Sequence, residues 1–191
     1  FRSKDGLYNQ KYKYPPEQIL SYSFFVNNTE EFYKFYREKM NSLKYNPNIT
    51  HFKLAQLEKT GKLKTIITQN IDGLHQKAGS KNVLELHGSI LKNYCMKCGK
   101  FYEAEKIFNS SEIPICECGG IIKPDVVLYE ESLDGEILNK SIQAIIKADL
   151  MIVAGTSLTV SPANTLLNFF RGENLVLINK DITPYDKKAN L

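Results

Sequence analysis

The stretch that decides the fold is "ADLMIVAGTS", Ala148–Ser157. Leu150–Ala154 is an unbroken apolar run that stops at Gly155, Thr156 and Ser157. Such a run, closing on small polar residues, is the pattern of a strand buried in a parallel sheet. Two other stretches repeat it: "LKTIITQN", Leu63–Asn70, and "NLVLINKD", Asn174–Asp181. Helical patterns separate them. "TEEFYKFYREKMNSL", Thr29–Leu43, has Thr29 as its cap and an acidic first turn, and "NITHFKLAQLEKTGK", Asn48–Lys62, closes at Gly61. "SPANTLLNFFRG", Ser161–Gly172, is capped by Ser161 with Pro162 in its first turn. Strands alternating with helices predict an α/β fold built on a doubly wound parallel sheet.

Ligands of an open parallel sheet bind beyond the carboxyl ends of its strands. The polar strand ends therefore belong on one edge: Gln69, Asn70 and Asp72; Gly155, Thr156 and Ser157; Asn179 and Asp181. Any α/β protein has polar strand ends, so this pattern alone does not separate a binding site from a solvated edge. What singles out the first group is its neighbourhood. "TQNIDGLHQKAGSKNVLELHGS", Thr68–Ser89, holds His75 and His87, two of the three histidines in the chain. An imidazole titrates near neutral pH and can take and return a proton, which makes these rings candidates for base catalysis. The plainer reading fits His75, as a helix or turn residue satisfying local backbone, and His51, inside the helical pattern after Asn48.

At 191 residues the chain suffices for one packed domain and a small inserted module. Its formal net charge of +4 is spread out, and no Lys/Arg run amounts to a nucleic-acid patch, so no direct nucleic-acid partner is expected. The apolar stretches are too short to cross a bilayer, and no membrane role is expected. The chain opens on "FRSKDG", without an initiator Met or a signal peptide, and closes on "YDKKANL"; it reads as a fragment cut at both ends.

All four cysteines fall between Cys95 and Cys118, as Cys95-x2-Cys98 and Cys116-x-Cys118. Two close pairs so spaced point to a four-thiolate zinc site in a reducing compartment, and not to disulfides spread over a secreted fold. Four sulfur ligands leave no position for water, so such a zinc is structural. The second pair has one intervening residue, and Gly119 and Gly120 can supply the backbone freedom that needs. From Cys95 to Pro124 the α/β rhythm breaks into short pieces rich in Cys, Gly and Lys. This predicts a zinc-binding module at 95–124 inserted in a domain made of 1–94 and 125–191.

"TQNIDGLHQKAG", "ELHGS", "CMKCG…CECGG", "KPDVVLYEE", "AGTSLTVSPA" and "LVLINKD", in this order, closely resemble the sirtuins, the NAD-dependent protein lysine deacylases, of bacterial type. The resemblance covers nearly the whole chain and implies a Rossmann-like fold. It implies that His87 is the catalytic histidine, a general base on a ribose hydroxyl of NAD, with Asn70 as a second catalytic residue. Asn70, Ile71 and Asp72 match the nicotinamide pocket, where an amide and a carboxylate suit a carboxamide that both donates and accepts. Gln69 would hold the nicotinamide ribose; Phe1 and Arg2 match the mobile cofactor loop. Gly155, Thr156 and Ser157 would approach the phosphates and a ribose, and Asn179 the adenosine ribose. Val126, Val127, Leu128 and Tyr129 would pair with an acetyl-lysine peptide by strand addition. The expected products are the deacetylated lysine, nicotinamide and O-acetyl-ADP-ribose, made by a monomer in the cytoplasm.

The resemblance also places the family's glycine-rich phosphate loop and first strand upstream of Phe1, and a final strand and helix after Leu191. Without that loop the stretch is expected to bind NAD poorly. Sirtuins that remove acidic acyl groups resemble one another in a Tyr-x-x-Arg pair. Here Tyr33 is followed three places later by Tyr36, with Arg37 one place late and turned about 100° away on a helix. Tyr33 and Tyr36 share a helix face and are expected to line an acyl pocket that prefers uncharged groups. Two other functions use parts of the same sequence: mono-ADP-ribosyl transfer from the same NAD pocket, and a non-enzymatic zinc-ribbon binding module.

Overall fold

Three helices open the described part of the chain: α1 (Pro16–Ile19), α2 (Tyr22–Asn27) and α3 (Thr29–Lys39). In this computed structural model residues 12–159 and 163–191 are described, and Phe1, Arg2, Ser161 and Pro162 lie outside them. Ser21 caps α2 by accepting from the Phe24 N–H at 3.2 Å. Thr29, expected as the cap of α3, is instead its first residue, and its hydroxyl donates back to the Phe25 carbonyl at 2.8 Å. The helix stops at Lys39, short of Leu43, because the Asn41 side chain accepts from the Leu43 N–H at 3.2 Å and turns the chain. Its buried residues Phe32, Tyr33, Phe35 and Tyr36 form the centre of the main core, with Ile90, Ile107 and Ile122 against them. Helix α4 (Ile49–Lys59) begins with a capping box. Asn48 accepts from the Thr50 and His51 N–H groups, and the His51 ring nitrogen Nδ1 accepts from the Asn48 N–H at 3.2 Å. His51 is thus a helix-start residue, as its position in the pattern suggests.

The chain continues through β1 (Ile66–Thr68), α5 (Leu74–Lys77), β2 (Val83–Glu85), β3 (Gly88–Cys95), β4 (Phe101–Glu103), α6 (Ala104–Phe108) and β5 (Ile122–Val126). It closes with α7 (Gly135–Ile146), β6 (Leu150–Ala154), a 3-10 helix at Ala163–Phe169, β7 (Asn174–Ile178) and a 3-10 turn at Asp186–Lys188. All three expected strands are present and parallel. Strand β1 pairs with β2 from Ile66 opposite Val83 to Thr68 opposite Glu85. Strand β6 pairs with β7 from Leu150 opposite Asn174 to Ala154 opposite Ile178. Among the described residues the two pairs form separate sheets.

Helices cover one face of the β6–β7 pair. Met151, with Ile137 and Ile142, packs against the cluster of Leu86, Ile145 and Leu166, and Val153 against Leu158, Leu167 and Leu175. Leu150 and Ile152, on the other face, are 49% and 53% exposed, so burial on both faces is not what the apolar run meant here. Helix α7 is an element the sequence reading passes over. Asp134 caps it through the Ile137 N–H at 2.9 Å, and apolar residues recur at 137, 138, 142 and 145. The segment expected as a helix to Gly172 is a tighter 3-10 helix that ends at Phe169.

Strands β4, β3 and β5 form an antiparallel sheet, with Tyr94 opposite both Phe101 and Lys123. The sheet reaches beyond residues 95–124 at both ends, to Gly88 and to Val126. Helix α3 is bound to it by more than apolar contact. The Tyr33 hydroxyl donates to the Ile122 carbonyl, and Tyr36 stacks on Phe108 at 5.7 Å between centroids. Tyr33 and Tyr36 are therefore core residues joining α3 to the cysteine-bearing segment, with 0% and 1% exposure, and not the open wall of an acyl pocket. Among the described residues no helix is long and apolar enough to cross a membrane.

Candidate active site and metal centre

His87 stands in the turn between β2 and β3. Pairing of β2 with β1 carries the chain to this point, and the Leu86 N–H donates to the Thr68 carbonyl at 2.9 Å. The next residue, Gly88, has φ +73°, and a Cβ there would collide with the Asp125 carbonyl oxygen. Only glycine lets β3 start this close to β5, so Gly88 fixes where its neighbour His87 sits. The His87 Nδ1 lies 3.0 Å from the Gln69 carbonyl oxygen. A carbonyl can only accept, so Nδ1 carries a hydrogen and Nε2 is the ring nitrogen left to exchange a proton. The ring is thus held, partly buried, in one orientation with Nε2 facing away from the Gln69 carbonyl.

The Gln69 side chain reaches the other way. Its Nε2 donates to Thr156 Oγ1 at 3.3 Å, joining the end of β1 to the residues just past β6. The two polar strand ends do converge. Gly155 follows β6 with φ +65°, and its N–H donates to the Ile178 carbonyl at 3.0 Å, so the end of β7 and Asn179 lie on the same edge. Ser157 Oγ is 2.7 Å from Thr159 Oγ1, and Asn179 Nδ2 donates to the Asp181 carbonyl at 2.9 Å. Asn70 is exposed, and the Ile71 side chain packs on the main core. Asp72 Oδ1 accepts from the Leu74 N–H at 2.9 Å and so starts α5. Amides, a carboxylate, hydroxyls and an imidazole on one edge are a donor and acceptor set that fits a nicotinamide dinucleotide. Phe1 and Arg2, the expected cofactor-loop residues, lie outside the described residues.

The segment expected to hold a peptide is wired to the same turn. Val126 lies opposite Gly88, and the Val127 N–H donates to the His87 carbonyl at 3.0 Å. Beyond β5 the Tyr129 N–H donates to the Leu20 carbonyl at 2.9 Å, and the Tyr129 carbonyl accepts from the Tyr22 N–H at 3.0 Å. Part of this edge is therefore already paired within the chain, which a sequence cannot reveal.

Two titratable groups near the site were not anticipated in these settings. Glu85, opposite Thr68, is half-buried; burial pushes its carboxyl up, against hydrogen bonds from Gln76 and Ser89. His75 on α5 faces His51 with ring centroids 4.8 Å apart, and its buried Nδ1 has no hydrogen-bond partner among the described residues. Burial, then the His51 ring, holds His75 below the ordinary imidazole value. No local pattern pairs two histidines so far apart in sequence.

The four cysteine sulfurs lie within 4.8 Å of one another. Cys95 Sγ is 3.5 Å from Cys118 Sγ, and Cys98 Sγ is 3.6 Å from Cys116 Sγ. A tetrahedral zinc with sulfurs at about 2.3 Å has edges of about 3.8 Å, so the cluster fits four-thiolate zinc. A Cβ on Gly120 would come within 2.6 Å of Cys95 Sγ, which is why the short second pair is followed by glycine. The Tyr102 hydroxyl donates to Cys116 Sγ at 3.1 Å. The Cys118 N–H and then this hydroxyl pull the Cys116 thiol down to about 6, towards the thiolate a metal needs.

A parallel α/β layer with polar groups and a histidine gathered at its strand ends, joined through β3 to a four-cysteine cluster at that strand's far end, is the architecture of a nucleotide-dependent enzyme with a structural zinc. Residues 1–162 match the model of the Sir2 family. The chain belongs to that family. Over its whole length it is 57% identical to an NAD-dependent protein deacetylase of Clostridium acetobutylicum, of which it covers 80%. It is 49% identical to the protein of that name from Cutibacterium acnes, of which it covers 79%. Among solved structures it is similar to a Sir2–p53 peptide–NAD+ complex, with TM-score 0.87, 40% identity and coverage of 96% of this chain and 79% of that one. A Sir2 structure bound to a propionylated peptide has TM-score 0.86 and 39% identity, with coverage of 94% and 79%.

Proposed function

We propose that this chain is an NAD-dependent protein lysine deacetylase in which His87 is the general base. One observation carries the assignment of the base: the His87 Nδ1–H bond to the Gln69 carbonyl, which leaves Nε2 open at the strand ends. When bound, NAD supplies an electrophilic anomeric carbon and a nicotinamide leaving group. Asn70 and Asp72, either side of Ile71, hold the carboxamide, and the Gln69 amide orients the adjacent ribose. His87 Nε2 takes a proton from a ribose hydroxyl and later returns it. Gly155, Thr156, Ser157 and Asn179 hold the phosphates and the adenosine ribose.

Val126–Tyr129 present the acetyl-lysine peptide, using the backbone groups not already paired with Gly88, His87, Lys123, Glu131 and α1–α2. Zinc is held by Cys95, Cys98, Cys116 and Cys118 in a module of residues 95–124, mounted on β3 and β5; residues 1–94 and 125–191 form the NAD-binding domain. The enzyme works as a monomer in the cytoplasm.

The test is mass spectrometry of an acetyl-lysine peptide incubated with the purified enzyme and NAD. Deacetylated peptide together with nicotinamide and O-acetyl-ADP-ribose is the expected result. ADP-ribosylated protein would favour transfer chemistry from the same pocket, and no turnover would leave only a binding module.

A further inference from the structure

Glu130, directly after the peptide-binding stretch, has φ +76°, in the left-handed region that side-chain-bearing residues rarely adopt. Outside glycine such a conformation is held only where the surroundings enforce it. Here they do. One Glu130 carboxylate oxygen accepts from the Ser23 N–H at 2.8 Å and the other from the Ser23 hydroxyl at 2.9 Å. Ser23 belongs to the first turn of α2, whose cap, Ser21, forms a parallel bridge with Tyr129. Backbone bonds between Tyr129 and Leu20 and Tyr22 complete the join between the α1–α2 corner and the end of the peptide edge. Leu128, one residue before Tyr129, is tied separately: Glu131 Oε2 accepts from its N–H at 2.8 Å and from Lys123 Nζ at 2.9 Å.

From this we infer that the Glu130–Ser23 pair is a clasp that positions the peptide edge, making Glu130 a positioning residue for acyl-peptide binding. The inference rests on the reading of Val126–Tyr129 as that edge. Glu130 touches neither His87 nor the strand ends that hold the dinucleotide, so the clasp acts on peptide affinity and not on the chemical step. A bidentate, charge-assisted contact fixes both the distance and the twist of the edge relative to α2. Left-handed backbone without that contact has no reason to persist in a glutamate.

The decisive variant is Glu130→Gly, because glycine keeps the positive φ without strain while deleting the carboxylate. The expected result is a peptide KM raised about tenfold, with kcat and the KM for NAD within about twofold of wild type. Peptide affinity measured directly by fluorescence anisotropy, without NAD, should fall by the same factor. Ser23→Ala should give a smaller rise, and Ser23→Thr should restore the wild-type value, since it keeps the hydroxyl. Adding Ser23→Ala to Glu130→Gly should change nothing further, because the two residues act through one contact. A wild-type enzyme that turns over the peptide, matched by Glu130→Gly in peptide KM and affinity, overturns the clasp alone. A wild-type enzyme that neither binds nor deacetylates the peptide overturns the clasp and the proposed function together. A Glu130→Gly protein altered in kcat and NAD binding as well would also overturn it, as general loss of structure.

Discussion

Arg37 lies over the ring of Tyr33, its guanidinium carbon 5.8 Å from the ring centroid, and spends its N–H groups on the Glu112 and Ser111 carbonyls at 2.9 and 3.1 Å. The tyrosine beneath it donates to the Ile122 carbonyl, and Tyr36 is fully buried. None of the three is free to meet an acyl carboxylate. Burying such an anion without a partner is unfavourable, whereas an acetyl group carries no such penalty. Acetyl-lysine should therefore be preferred to succinyl-lysine by at least about tenfold in kcat/KM. Otherwise identical peptides competing for the enzyme with NAD in excess measure this. Earlier consumption of the succinyl peptide would mean that another cation reaches the pocket.

Replacing His87 by alanine should lower turnover by about two to four orders of magnitude, the usual range for a lost general base. Zinc content should not change, because the ligands sit at the far end of β3. Steady-state kinetics with metal analysis of the same sample decides the matter, and near-normal turnover would remove His87 from the role.

Cys116→Ala or Cys118→Ala should release the metal and unfold the segment around it. Structural zinc sites contribute on the order of 10 kcal/mol to folding, and three thiolates do not close this tetrahedron. Stoichiometric zinc and an unchanged melting curve in either variant would show that the ligand set is different.

His75 makes stability depend on acid. Burial and the His51 ring hold its folded value below the ordinary one of about 6.5, with Asp72 opposing. As pH falls below that ordinary value, the unfolded chain takes the proton before the folded one does. The native state therefore loses stability between about pH 6.5 and the lower folded value, and gains nothing from this group above pH 7. Urea unfolding at pH 7.5 and at 5.5 should show the loss, and His75→Gln should shrink it. An equal loss in the variant would place the acid sensitivity elsewhere.

Much of this site was legible because its signals are local. An apolar run closing on Gly155, Thr156 and Ser157 reports a strand and its end, and close cysteine pairs report a tetrahedron, since each pair spans one turn. The pairing across sequence was not legible. Nothing in "CMKC" and "CEC" shows that Cys95 lies beside Cys118 and Cys98 beside Cys116. The helical spacing of Tyr33 and Tyr36 correctly put them on one face, but not what that face packs against. That depended on Ile122 and Phe108, more than seventy residues away in the chain. Helix α7 carries an ordinary cap and period, Asp134 and the apolar residues at 137, 138, 142 and 145, and these are as legible in the sequence as those of α4.

The acceptor that holds the His87 ring is a main-chain oxygen. Had it been a carboxylate, acid would neutralise it and one substitution could delete it. A peptide carbonyl gains no proton in this range and is present whatever residue occupies position 69. The acid limb of a pH–rate profile should accordingly have unit slope as far as this partner is concerned. Mutational scanning at position 69 should reveal losses in cofactor affinity, carried by the side chain, while ring orientation survives. The alignment of the base is written in the path of the backbone, where drift in individual residues does not readily reach it.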